Sequence, residues 1–304
     1  MNETPGKSLS QTGTRPTGFV KPTHERALSA LKAIEANQIA DAEKHIAAIP
    51  DSPLIDRAWK LLLRGLLAVR QADFAAAEVP LLQACSVGLI AGLGKRENAD
   101  PDALRFCALA LHHAGRVYRR QDRPEDAFHA HLAAHHLRQQ HGSLDELWET
   151  AIELGLDADV DRRYREGQEW HRTAIDIAER TSEEPERKQA VAWSNLAVSH
   201  AESGGYDEAV SAARTARDWW RQHDIGAATA AQADLKLGGV LLKQGEALHE
   251  RGDPSAKAAL GEAVEWLAAA HKALQAFGPD NAADAQLCLE QQDFAHRLLA
   301  SLDP

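Results

Sequence analysis

The sequence predicts an all-α fold: a right-handed solenoid of antiparallel helical hairpins closed by a C-terminal capping helix. Small residues recur at one spacing in four places, namely Gly65–Ala77–Ala84, Gly115–Ala127–Ala134, Gly155–Gly167–Ala174 and Ala197–Ala209–Ala216. The second residue follows the first by 12 positions and the third by 19 in each case. Such fixed-period self-similarity marks a stacked repeat architecture. Strand-like β-branched alternation is absent, and Gly and Pro fall in short gaps between long segments rich in Ala, Leu, Glu and Arg. Several helix starts are signposted by Asp with Pro, as at Asp51-Ser52-Pro53, Asp100-Pro101, Asp122-Arg123-Pro124 and Asp253-Pro254-Ser255.

Residues 1–22 are rich in Gly, Pro, Ser and Thr without periodicity and are expected to be a disordered leader. The repeat domain is expected over 23–300, with a short tail at 301–304. Helices are expected near 25–36, 39–49, 54–71, 74–86, 101–121, 124–140, 144–159, 161–181, 187–203, 206–221, 227–251, 255–276 and 282–300. Short connections between long helices require antiparallel neighbours. The longest interruption, 86–100, is the expected irregular insertion and a candidate sub-boundary. The pair 227–251/255–276 is either a long final repeat or a different hairpin, because Glu250 stands where a small residue should follow Gly238. The segment from Ala282 is expected to cap the stack.

Composition narrows the partners. Lys and Arg number 34 against 45 Asp and Glu, a net charge of −11, which disfavours nucleic acid and anionic membranes. The cluster Arg116, Arg119, Arg120 and Arg123 is the local exception and suits an acidic peptide. The three cysteines, Cys85, Cys107 and Cys288, form no paired motif, so no disulfide framework is expected and a reducing, cytoplasmic setting fits best. No run reaching the roughly 18 apolar residues of a membrane span is expected, and neither is membrane insertion.

The stretch Trp193-Ser194-Asn195-Leu196-Ala197-Val198-Ser199-His200, followed by Gly204, Tyr206, Ala209, Ala213 and Ala216, resembles a tetratricopeptide repeat, W-x-x-L-G-x-x-Y then A-x-x-x-F. Partial copies run through Leu111, Gly115, Tyr118 and Ala127, through Gly155, Tyr164 and Gly167, and through Gly65, Phe74 and Ala77. The anchors stand 50, 40 and 42 residues apart, more than the 34 of the commonest repeat. They resemble the long, about 42-residue variant of kinesin light chains and bacterial signalling regulators.

The resemblance implies a protein–protein interaction scaffold that holds a partner protein or peptide in a groove lined by the first helix of each pair. Carried over, the groove positions include His112, Arg116, Arg119, Arg120, Ser194, Asn195, Lys236 and Lys243. Asn with Lys or Arg on neighbouring repeats suits a C-terminal carboxylate, although Glu153, Asp159 and Glu202 on the same helices oppose an anion. The alternative is a signalling regulator that senses a peptide or small ligand by a change in solenoid curvature.

His131 and His135 stand one helical turn apart, where both rings can reach one zinc, copper or nickel ion. No carboxylate or cysteine at helical spacing completes a set, so no metal or other cofactor is expected. Both His131 and His171 fall where the repeat pattern has an aromatic, which points to interior packing. Adjacent Trp219 and Trp220 cannot face one core, so one is expected at an inter-repeat seam or exposed. With no G-x-S-x-G, phosphate loop or dinucleotide fingerprint, no enzyme activity is expected.

Overall fold

The computed structural model describes residues 25–93, 100–223, 227–277 and 281–302. The expected leader and half of the expected tail, 303–304, lie outside these. Thirteen helices, and no strand, occupy the described residues. The described residues form two compact units, 25–162 and 163–302.

The first unit holds α1 (Glu25–Glu35), α2 (Ile39–Ala47), α3 (Leu54–Arg70), α4 (Phe74–Leu93), α5 (Pro101–Arg120), α6 (Pro124–His141) and α7 (Leu144–Val160). The second holds α8 (Tyr164–Ala178), α9 (Pro185–Glu202), α10 (Tyr206–Gln222), α11 (Ala227–Glu250), α12 (Ala256–Ala276) and α13 (Ala282–Leu302). In the first unit α1/α2, α3/α4 and α5/α6 pair as hairpins; in the second, α9/α10 and α11/α12 do, with α13 packed on α12 and α11.

The recurrent small residues sit where helices touch. A Cβ on Gly65 would lie 2.6 Å from Leu81, and one on Gly115 would lie 2.6 Å from the His131 ring. Both partners follow their glycine by 16 positions, so one knob fits one hole in each hairpin. Ala77, Ala84, Ala127, Ala134, Ala209 and Ala216 are all buried.

The bends after six of the helices follow one rule. Asn37, Ala72, Asp122, Arg162, Gly204 and Gly252 all have left-handed φ, between 58° and 85°. Each follows a small residue by seven: Ala30, Gly65, Gly115, Gly155, Ala197 and Gly245. The backbone closes five of these turns with a bond reaching back five residues, as from Asp73 N to Ala68 O at 2.9 Å and from Gly205 N to His200 O at 2.9 Å. That is the Schellman arrangement, which satisfies carbonyls left open at a helix end. Asp122 therefore serves as a turn residue rather than the expected cap. Asp100 does cap, accepting from Asp102 N at 3.0 Å, and Ser143 with Glu146 forms a full capping box.

The six-fold series settles the final pair. Its anchor is Gly245, whose absent Cβ makes room for Leu260 at 2.6 Å, not Gly238, which faces Leu267. The buried alanines Ala256 and Ala263 of α12 stand 11 and 18 after Gly245, so this hairpin keeps the repeat with one residue fewer.

Three expectations are corrected. Helix α4 runs on to Leu93 through the expected insertion at 86–100, of which 94–99 lies outside the described residues. Phe74–Ala91 does reach the length and hydropathy of a membrane span, because α4 is apolar on its outer side as well as on the Ala77/Leu81/Ala84 stripe that packs inward. Cys85 and Cys107 are joined as a disulfide with Cα atoms 4.4 Å apart. A separation of 22 positions places them opposite one another across the α4/α5 seam, a juxtaposition that spacing alone does not reveal.

Candidate functional site

In the first unit the first-helix face is built from α5 and α7. Arg119 on α5 forks onto α7, bonding the Asp157 carboxylate at 2.7 Å and the Glu153 carboxylate. Arg116, one turn earlier, stands 3.6 Å from Glu153 and keeps about two-fifths of its side chain in solvent. Arg120 is exposed.

Beneath this face lies a polar interior. His131 on α6 is fully buried, with Nδ1 2.5 Å from the other Asp157 oxygen and Nε2 3.0 Å from the His112 carbonyl. Nδ1 thus faces a carboxylate and Nε2 a backbone carbonyl, both acceptors. Asp157 thereby ties α5, α6 and α7 through one buried carboxylate. His112 is itself buried beside His131, ring centroids 5.4 Å apart, and its Nδ1 has no partner among the described residues. The neighbouring His135 bonds Thr150 of α7 at 3.0 Å.

The charges respond to these surroundings. Burial would raise the Glu153 carboxyl, but Arg119 overrides it and, with His131 and Arg116, holds it down to about 2. Burial would lower Arg119, yet Glu153 and Asp157 keep its pKa above the usual guanidinium value. Burial, with Arg116 and Arg138 nearby, brings His113 down to about 3. Burial, with His136 and Arg138, brings His135 to about 4.

Both His131 nitrogens are thus engaged, and His135 turns its Nδ1 to a hydroxyl. Among the described residues no group of three His, Cys, Asp or Glu gathers in metal-binding geometry. His131 and His171 are both fully buried, as their aromatic positions imply.

In the second unit Ser194 on α9 is buried and Asn195 half-buried, while Lys236 on α11 is exposed. Lys236 has no ion-pair partner among the described residues. Lys243 is engaged by Glu202 across the α9–α11 contact. The eight residues expected to form one groove are therefore divided between the units, four in each.

A further ionic knot in the second unit has no counterpart in the sequence reading. Asp234, buried on α11, accepts from Arg217 at 3.3 Å and Arg221 at 2.8 Å, both on α10. Arg217 also stacks over the Trp266 ring of α12 at 4.1 Å. The signal available was Arg217 and Arg221 at i, i+4 opposite an acid on an otherwise apolar α11 face. Trp220 is buried against Ala190 and Ala233, at the seam of α9, α10 and α11, while Trp219 meets it edge-on at 4.8 Å and stacks on His223. An open cleft of about 410 Å³ lies between α8, α9 and α10, floored by Trp193 and Leu196 and rimmed by Arg172, His200, Asp207 and Glu208.

No family model matches the chain, and no curated protein sequence does. Solved structures do. RapI in its apo form is 10% identical with a TM-score of 0.59, over 91% of this chain and 98% of that one. The quorum sensor NprR from B. thuringiensis, also apo, is 14% identical with a TM-score of 0.62, over 87% and 68%. NprR in complex with its cognate peptide NprX is 15% identical with a TM-score of 0.51, over 89% and 77%. A Podosopora anserina putative kinesin light chain with nearly identical TPR-like repeats is 13% identical with a TM-score of 0.52, over 71% and 97%. Left-handed turns at fixed distance from small anchors, knob-in-hole hairpins and these likenesses agree: the chain has the fold of a tetratricopeptide-type helical repeat protein.

Proposed function

We propose that this protein is a non-catalytic scaffold that binds a partner protein or peptide segment on the first-helix faces of its hairpins. The observation that carries the reading is the array on α5 and α7. Arg116 and Arg119 face Glu153, and the buried Asp157–His131 pair braces Arg119 from beneath. Charged side chains fixed before a partner arrives lower the ordering cost of association. The likeness to NprR, solved with a cognate peptide, supports a peptide or protein as the class of partner.

The geometry favours a segment of mixed charge over a purely acidic end. Arg119 is already engaged by two carboxylates and Lys243 by Glu202, so an acidic ligand competes with these. Lys236 is the position best placed to meet an acidic group on the partner.

The reading is tested by screening a peptide array of varied charge and measuring the best binders by fluorescence anisotropy. Arg116→Glu is expected to weaken them by about tenfold or more. Unchanged affinity for every binder overturns the assignment of this face. A second reading, a regulator that senses its ligand by changing curvature, draws on the likeness to the quorum sensor NprR. A shift in small-angle scattering on saturation with the best binder supports it, and superimposable curves count against it.

A further inference from the structure

Helix α4 carries a second apolar face that no other described residue covers. Its sequence, FAAAEVPLLQACSVGLIAGL, contains one charged residue, Glu78. One stripe, Ala77, Leu81, Ala84 and Cys85, is buried against α3 and α5, with Gly88 closing on Phe106. On the opposite side Val79 is 57% exposed, Leu82 37% and Ile90 59%. Gln83 and Ser86 are exposed between them. Positions 79, 82, 86 and 90 recur at intervals of three, four and four, which places them along one side of a helix. A helix apolar on all sides is ordinarily covered on all sides.

We propose that this face pairs with the same face of a second copy of the chain, the two α4 helices crossing antiparallel about a two-fold axis. Charge argues for a second copy. Two chains of net charge −11 repel wherever acidic surfaces meet. Here two copies can touch without facing like charges, since Glu78, the sole charge, is tied to Arg123 of its own chain at 3.0 Å. The pattern is also self-complementary, as a two-fold contact requires. With the axis between positions 84 and 85, Val79 meets Ile90 of the other copy, and Gln83 meets Ser86. Apolar contacts then flank a central amide–hydroxyl pair that can satisfy each other. Glu78 and Arg123 lie at the edge, where interfaces are polar.

One helix face is smaller than the roughly 800 Å² per partner of a standard interface, so the dimer is expected to be weak, half-formed at roughly 10–100 μM. Sedimentation equilibrium of the full chain over that range reads it directly. Val79→Lys and Ile90→Glu, each alone, are expected to weaken association at least about tenfold. Mixed in equal amounts, the two variants should restore it, because the antiparallel register sets the new lysine against the new glutamate of the other copy. Circular dichroism establishes that each variant keeps its helices; Val79→Ser and Ile90→Ser replace any that does not, with weakened association still required.

A chain that stays monomeric to about 0.5 mM overturns the proposal. So does a dimer indifferent to both substitutions, which would use another surface. Disruption without restoration in the mixture overturns the antiparallel register. Flotation of a monomer with phosphatidylcholine vesicles, lost in Ile90→Glu, would assign the face to a lipid surface instead.

Discussion

His131 and Asp157 meet at 2.5 Å with neither side chain exposed to solvent, and the same carboxylate holds Arg119 on its other oxygen. One acid therefore links three helices of the first unit, and its removal leaves the buried His131 without its carboxylate and Arg119 held by Glu153 alone. Breaking a buried ion pair from one side costs about 3–5 kcal/mol, more than the pair contributes over an apolar replacement. Asp157→Ala is expected to lower urea-unfolding stability by that amount. A double-mutant cycle with Arg119→Ala should give a coupling of about 1–3 kcal/mol. Strict additivity would mean the contact carries no energy.

The hairpin knobs make a paired test. Gly115→Ala drives a methyl to 2.6 Å from the His131 ring and is expected to cost about 1–3 kcal/mol. Gly261, on α12, has nothing within 4 Å of where its Cβ would stand. Gly261→Ala should stabilise by about 0.5–1 kcal/mol, since alanine is the better helix former. Thermal midpoints moving in the same direction for both would contradict the packing described.

The turns permit a converse pair. Ala72 adopts φ 59° and Gly204 adopts φ 85° at equivalent positions. Left-handed backbone costs a residue with a Cβ about 1–2 kcal/mol, partly offset by the greater unfolded freedom of glycine. Ala72→Gly is expected to stabilise by about 0.5–1 kcal/mol and Gly204→Ala to destabilise by about 1 kcal/mol. Urea midpoints measure both.

Acid should loosen the first unit early. His113 is held to about 3 and His135 to about 4, both from 6.5. The unfolded chain takes up protons at these rings below pH 6.5 while the folded chain does not, so their contribution is whole above 6.5 and is lost toward pH 4 and 3. Glu153, depressed from 4.5 to about 2, adds a loss over that lower window. Stability should therefore fall continuously below pH 6.5, as denaturation midpoints at pH 7, 5.5 and 4.5 will read; a maximum near pH 5 would contradict these shifts.

Helix positions were legible because hydrophobic period, proline and turn residues are local signals. The final repeat was harder: Gly238 drew attention while Gly245, with a hairpin one residue shorter, set the register. Interior placement of His131 followed from its position in the repeat. Its acid did not, because Asp157 lies 26 residues away and plentiful carboxylates give no hint of which one turns inward. The Cys85–Cys107 pairing and the Asp234–Arg221 contact were hidden for the same reason. Pairwise geometry between helices is set by packing, and composition carries little of it.

The left-handed residue stays seven places after its anchor at all six bends, while the anchors themselves stand 35 to 50 positions apart. Length is therefore fixed up to the left-handed residue, and variation gathers after it: Gly245–Ala256 is already one residue shorter than Gly115–Ala127. Extra residues should be accepted in the segments that lead from one hairpin to the next, such as Thr181–Glu184. A single insertion between Gly115 and Asp122 would carry the left-handed residue off its bend.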